Sequence, residues 1–144
     1  MRAVVIYEPG CEGTRRIAEA VAEGLPAYPV SVLPAEDATA TDIEQADLVV
    51  LDGMADRSLL HRVGAHAWRG RRVAVFDTGD HVRDRPMWPS AAGRMVWWLR
   101  IRGVASPVPQ ARFDLKGGAG EPGDGEEDRA RSWGRSLPIA AHVG

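Results

Sequence analysis

The chain has 144 residues, of which 44% are hydrophobic and 26% charged, with a formal net charge of −2. That length accommodates one domain, residues 1–144, with a core that stands without disulfides or metals, and the composition excludes disordered and fibrous classes. No apolar run is long enough to cross a bilayer, the N-terminus lacks the basic-then-apolar order of a signal peptide, and Cys11 is the single cysteine. The expectation is therefore a cytoplasmic protein with no membrane and no nucleic-acid partner.

The first strand is Ala3-Val4-Val5-Ile6-Tyr7. A continuous apolar, β-branched run reads as a strand buried on both faces, as a parallel sheet requires. A glycine-containing loop, Glu8 to Gly13, leads into a helix from Thr14 to Leu25, whose apolar positions Ile17, Ala18, Val21, Ala22 and Leu25 recur at three- and four-residue spacing. Strand, glycine loop and helix N-terminus together make a geometry suited to phosphate, because unpaired backbone N–H groups and the helix dipole converge there. The alternative, at least as common for an isolated loop, is that the glycines only make a tight turn.

Val30 to Leu33 reads as a short second strand at an edge, followed by a loop from Pro34 to Thr39. Thr41 is expected to cap a short helix ending at Ala46, with Asp42 and Glu44 suiting its positive end. Ala46 to Leu51 is the third strand, and Asp52-Gly53-Met54-Ala55-Asp56 follows its carboxyl end. A helical segment from Ser58 to Trp68 carries Leu59, Leu60 and Val63 as its apolar stripe. The fourth strand is Val73 to Phe76, with a long loop from Asp77 to Pro89.

Ser90 can cap the next helix, which runs to Arg102 and stops at Gly103. Its Met95, Val96, Trp98 and Leu99 are expected to face the sheet; adjacent Trp97 and Trp98 cannot share one narrow face, so one of them lies outside the core or under a loop. Val104 to Val108 and Ala111 to Leu115 read as a fifth strand interrupted by Pro107 and Pro109, which suits a sheet edge. A glycine-rich loop from Gly117 to Gly125, expected to be mobile, precedes a last helix from Glu126 to Leu137 with Ala130, Trp133 and Leu137 inward. Strands alternating with helices over short connections predict an α/β fold: a doubly wound, five-stranded parallel sheet in the order 2-1-3-4-5 with helices on both faces. A ligand would then sit at the carboxyl ends of strands one, three and four.

The opening Tyr7, Glu8, loop, Thr14, Arg16-Ile17-Ala18-Glu19-Ala20-Val21-Ala22-Glu23-Gly24 resembles the first strand–helix unit of short flavodoxin-like domains. Phe76-Asp77-Thr78, the helix start around Trp88 to Ala92, Leu99-Arg100-Ile101-Arg102-Gly103 and the closing Glu127 to Gly134 extend the likeness over nearly the whole chain. The resemblance implies a flavodoxin-like sandwich and an FMN that carries electrons. It places Glu8, Gly10, Gly13, Thr14, Asp77, Thr78 and Trp88 around that FMN, with Trp88 or His81 available to stack on the ring. The contact loops depart from the family. Pro9 stands where a hydroxyl is usual and Glu12 where a glycine is usual; Gly53-Met54-Ala55 replaces a Gly-Pro-Thr type loop, and Gly79 replaces the arginine that usually follows Asp77-Thr78.

Asp47 to Met54, with Asp52, also resembles the phosphoacceptor strand of receiver domains, but Glu8 and Glu12 do not form the adjacent acid pair that such domains need. The histidines His61, His66 and His142 have no metal-ligand spacing. Cys11 reads as a small buried thiol, and His81 as a loop residue with general-base chemistry as its alternative.

Charge is unevenly placed. Residues 1–56 carry 11 acids and 3 bases, and residues 57–102 carry 10 arginines and 3 aspartates. Such asymmetry can support docking of an anionic redox or accessory partner on the arginine-rich part, or head-to-tail self-association, and the alternative is that folding intermixes these charges and leaves no patch. Three functional readings follow. They are an FMN-binding electron carrier with an altered flavin site, a flavodoxin-fold accessory protein without FMN, and a flavin-independent enzyme using the carboxylates and His81.

Overall fold

The computed structural model describes residues 2–27, 29–55, 59, 62–79, 91–104, 110–118 and 120–137. Five strands, β1 (Ala3–Tyr7), β2 (Val30–Pro34), β3 (Leu48–Asp52), β4 (Arg72–Gly79) and β5 (Ala111–Asp114), form one parallel sheet in the order β2-β1-β3-β4-β5. Among the described residues the bounded α-helices are α1 (Glu12–Gly24), α2 (Ala40–Glu44), α3 (Ala65–Trp68), α4 (Ala91–Arg100) and α5 (Glu126–Ser136), and Leu59 and Arg62 are also helical. This is the doubly wound arrangement and the strand order expected from the sequence.

The continuous apolar strands serve two cores at once. Val4, Ile6, Val49, Leu51, Val73 and Val75 point to one face, where Ile43, Trp68, Met95 and Leu99 of α2, α3 and α4 cover them. Their strand neighbours Ala3, Val5, Leu48, Val50, Ala74 and Phe76 point to the other, under Ile17, Val21 and Ala130 of α1 and α5. Alternate side chains of one strand thus fill opposite layers, which is why these strands tolerate no polar alternation. On the second face Phe76, Phe113 and Trp133 meet edge to face, with centroids 6.0 to 6.3 Å apart.

Helices α1 and α5 approach until their backbones touch. A β-carbon at Gly24 would fall 2.0 Å from the Arg131 carbonyl oxygen, and one at Gly134 would fall 2.3 Å from that of Val21. Ion pairs Arg16–Glu127 and Arg131–Glu23 flank this seam. Glu126, buried at the start of α5, accepts the Asp114 N–H at 2.6 Å and pairs with Arg129, which also donates to the Arg112 carbonyl. These bonds fix α5 to the edge strand β5.

Several boundaries differ from the sequence expectation. Helix α1 begins two residues earlier, at Glu12, with Cys11 as its N-cap. Thr39, not Thr41, caps α2 through a reciprocal capping box with Asp42. Strand β4 continues three residues past Phe76, so Asp77 and Thr78 belong to the sheet. The loop after β5 is held by a Leu115–Pro122 bridge and a Lys116 N–H bond to the Glu121 carbonyl, with a short 3-10 turn at Lys116–Gly118. Of the tryptophan pair, Trp97 is exposed and Trp98 packs against the core with the Arg102 guanidinium over its ring. The first arm expected of strand five, 105–108, and the segment 80–90 lie outside the described residues, except that Val104 is described and buried.

Candidate functional site

The carboxyl ends of β1, β3 and β4 meet the N-termini of α1 and α4, and most of the expected site residues gather there. Helix α1 starts without a side-chain cap. Its first-turn amides, Glu12 to Thr14, have no carbonyl one turn earlier and remain donors toward that end of the sheet. Gly10, just before them, has φ of 109° and no atom within 4 Å of where a β-carbon would stand. It is the open position of the loop. Gly13 sits in a crowded place instead, since a β-carbon there would meet the Gly120 carbonyl oxygen at 2.0 Å. The absent side chain lets the β5–α5 loop lie against the start of α1.

Thr14 and Thr78 join two of these elements. Their hydroxyl oxygens lie 2.7 Å apart, and Thr14 is buried. Two hydroxyls bring two protons to a pair that uses one, so one proton is left to donate elsewhere. Glu12, the acid at a usual glycine position, faces outward. Its side chain is 71% exposed, and its carboxylate lies 3.7 Å from Arg15, which also binds Glu19 at 3.0 Å.

The buried acids are engaged with backbone. Both Asp77 oxygens accept the Ala92 N–H, at 2.9 and 3.0 Å, so this carboxylate caps α4. Asp52 is fully buried and accepts N–H bonds at 3.0 Å from Glu8 and from Met54. It thereby ties the loop after β1 to the loop after β3. Burial, with smaller contributions from the neighbouring Asp77 and Glu8, raises its pKa to about 7 against the pull of those two N–H bonds. A carboxyl so enclosed offers no open phosphoacceptor, which removes the basis of the receiver resemblance. Gly53 completes the seam: a β-carbon there would fall 2.5 Å from the Ala92 nitrogen and 2.6 Å from an Asp77 oxygen. Met54 beside it is exposed.

Glu8, Gly10, Gly13, Thr14, Asp77 and Thr78 are thus placed around one end of the sheet, whereas Trp88 and His81 lie outside the described residues. Asp77 and Gly13 hold the scaffold rather than face an open space. Cys11 is half-buried against the α1 core and not fully buried as expected. Sequence reading does not assign the double bridge made by Asp52 or the close approach at Gly53. The available signal is an acid and a glycine directly after four apolar residues of a central strand. Among the described residues no cluster of metal-ligating side chains occurs, and no helix is long and apolar enough to cross a membrane.

An open glycine, first-turn amides, a spare hydroxyl proton and an outward Glu12 at this end of the sheet are compatible with a phosphate group such as the head of FMN. No protein-family model matches the chain, and no curated protein matches it in sequence. Solved structures do match its fold. A flavodoxin from the domain Archaea superposes with TM-score 0.73 at 17% identity, over 94% of this chain and 94% of that one. Flavodoxin 1 from Bacillus cereus gives 0.67 at 19% identity, over 96% and 100%. A diflavin flavoprotein from Nostoc sp. gives 0.66 at 16% identity, over 95% and 90%.

Proposed function

We propose that this flavodoxin-like chain binds FMN at the carboxyl ends of β1, β3 and β4 and serves as an electron carrier. The observation that carries the reading is the Thr14–Thr78 hydroxyl pair at the uncapped start of α1. When bound, FMN supplies the electron-transfer chemistry itself. The chain's own residues grip and orient. The amides of Gly10 and of Glu12 to Thr14, with one threonine proton, would hold the phosphate dianion, helped by the positive end of α1. Asp77 holds α4 in place, and Asp52 holds the two neighbouring loops in register, so that the grip is preorganised.

Because the reading rests on the phosphate end, the test compares FMN with riboflavin, which lacks the phosphate. FMN fluorescence should be quenched saturably, and riboflavin should bind at least about tenfold more weakly, as expected for the loss of one charged multi-bond contact. A second reading, a flavin-free accessory protein, is favoured by the missing hydroxyl at Pro9 and by the acids Glu8, Asp52 and Asp77 around the same end. Equal, absent or unsaturable responses to both flavins would select it.

A further inference from the structure

The outer face of α4 carries a pattern that a lone globular protein has no need of. Arg94, Trp97 and Ile101 share one side of the helix at three- and seven-residue spacing, with Arg100 and Arg102 beside them. Trp97 is 56% and Ile101 58% exposed, among the few large apolar side chains so placed. The stretch from Ala91 to Gly103 contains no acid. Among the described residues no carboxylate pairs with Arg94, Arg100 or Arg102. Exposed aromatic and aliphatic anchors between arginines are the composition of an interface centre.

The same molecule carries the complement. From Ile17 to Asp56 there is no lysine or arginine. The turn after β2 and the end of α2 expose Glu36, Asp37, Glu44 and Asp47, and among the described residues no cation side chain pairs with the first three. A cleft walled by Arg2, Pro29, Ser31, Asp42 and Gln45 opens at this edge, with the Arg2 guanidinium bonded to Gln45 at 3.1 Å rather than to Glu36, Asp37 or Glu44. Helices α2 and α4 cover the same face of the sheet, at its two sides. A two-fold axis along the strands therefore sets each copy's α4 against the other's α2, making two identical contacts at once.

We propose that the chain pairs with a second copy of itself, the arginine-flanked Trp97–Ile101 face of α4 in one copy docking against the acidic α2 edge of the other. The proposal is independent of flavin binding. It is tested by sedimentation velocity on the purified full chain from low to high micromolar concentration, at low and high salt. Dimer should form with concentration, and its dissociation constant should rise at least about tenfold between the two salts, as screened ion pairs require. The variants Arg94→Glu/Arg100→Glu and Glu36→Arg/Glu44→Arg should each be monomeric alone and form a one-to-one heterodimer when mixed. The mixture also controls for folding, since a misfolded variant would not pair. A wild type that stays monomeric throughout, charge-reversed variants that still self-associate, or a mixture that stays monomeric although both variants show the wild-type cooperative thermal unfolding would each overturn the proposal.

Discussion

The Thr14 hydroxyl in the first turn of α1 lies 2.7 Å from the Thr78 hydroxyl near the end of β4. These two residues are 64 positions apart, and their bond is a direct link between the first helix and the fourth strand. Removing either hydroxyl leaves the other to find a new partner. Thr14→Val and Thr78→Val should each cost about 1 kcal/mol of stability, and the double variant should cost less than their sum, because one shared bond is lost once. Urea unfolding of the four proteins measures this; strict additivity would show that the pair contributes nothing as a pair.

Asp52 should give the protein an unusual pH dependence. Its folded pKa is about 7 against an ordinary 3.8, so the folded state holds a proton that the unfolded chain has released. Stability is therefore greatest at the acid side of that window and falls as pH rises toward 7, by at most about 1.4 kcal/mol per unit. Asp52→Asn should flatten the profile from about pH 5 to about 8. It should also lower stability at the acid end by about 1–3 kcal/mol, because a carboxamide has one acceptor oxygen for two N–H donors. Denaturant unfolding across that range is the check, and an equally steep profile in the variant would place the titration elsewhere.

The two loop glycines should behave differently. Gly13→Ala forces a β-carbon onto the Gly120 carbonyl oxygen and should cost about 1–3 kcal/mol or more. Gly10→Ala meets no atom but keeps a positive φ of 109°, so its cost is backbone strain of about 1–2 kcal/mol. Thermal unfolding should rank Gly13→Ala as the more damaging change. Its full stability in the folded variant would mean that the β5–α5 loop does not lie against α1.

Glu12→Gly separates electrostatics from packing. The sequence alone would assign Glu12 a strong repulsion of a phosphate, and a gain of roughly five- to thirtyfold on its removal. Its outward side chain and its pairing with Arg15 reduce that. FMN affinity should rise by less than about threefold, since exposed pairs act weakly through water. A tenfold gain in a fluorescence titration would show that the side chain turns inward when ligand binds.

The architecture is legible in the sequence because β1, β3 and β4 are buried on both faces, and such strands stand out as unbroken apolar runs. The end of β4 is not, because Asp77 and Thr78 are polar. Yet Asp77 is buried through its bond to Ala92, a partner fifteen residues on that no local pattern signals. The cap at Thr39 is hidden for a related reason: Thr39 and Thr41 both have suitable side chains, and the reciprocal bond with Asp42 decides between them. The site is legible as a place and not as a set of roles. Gly10 and Gly13 look alike in sequence, but one faces open space and the other a carbonyl oxygen.

The most direct test of FMN binding is a fluorescence titration of FMN into the wild type and Thr14→Val. Saturable quenching by the wild type is expected, with affinity lowered about five- to thirtyfold in the variant, as befits the loss of one charge-assisted hydroxyl bond of roughly 1–2 kcal/mol. Unchanged FMN fluorescence with the wild type, or equal affinity in the two proteins, would contradict a phosphate site built on Thr14.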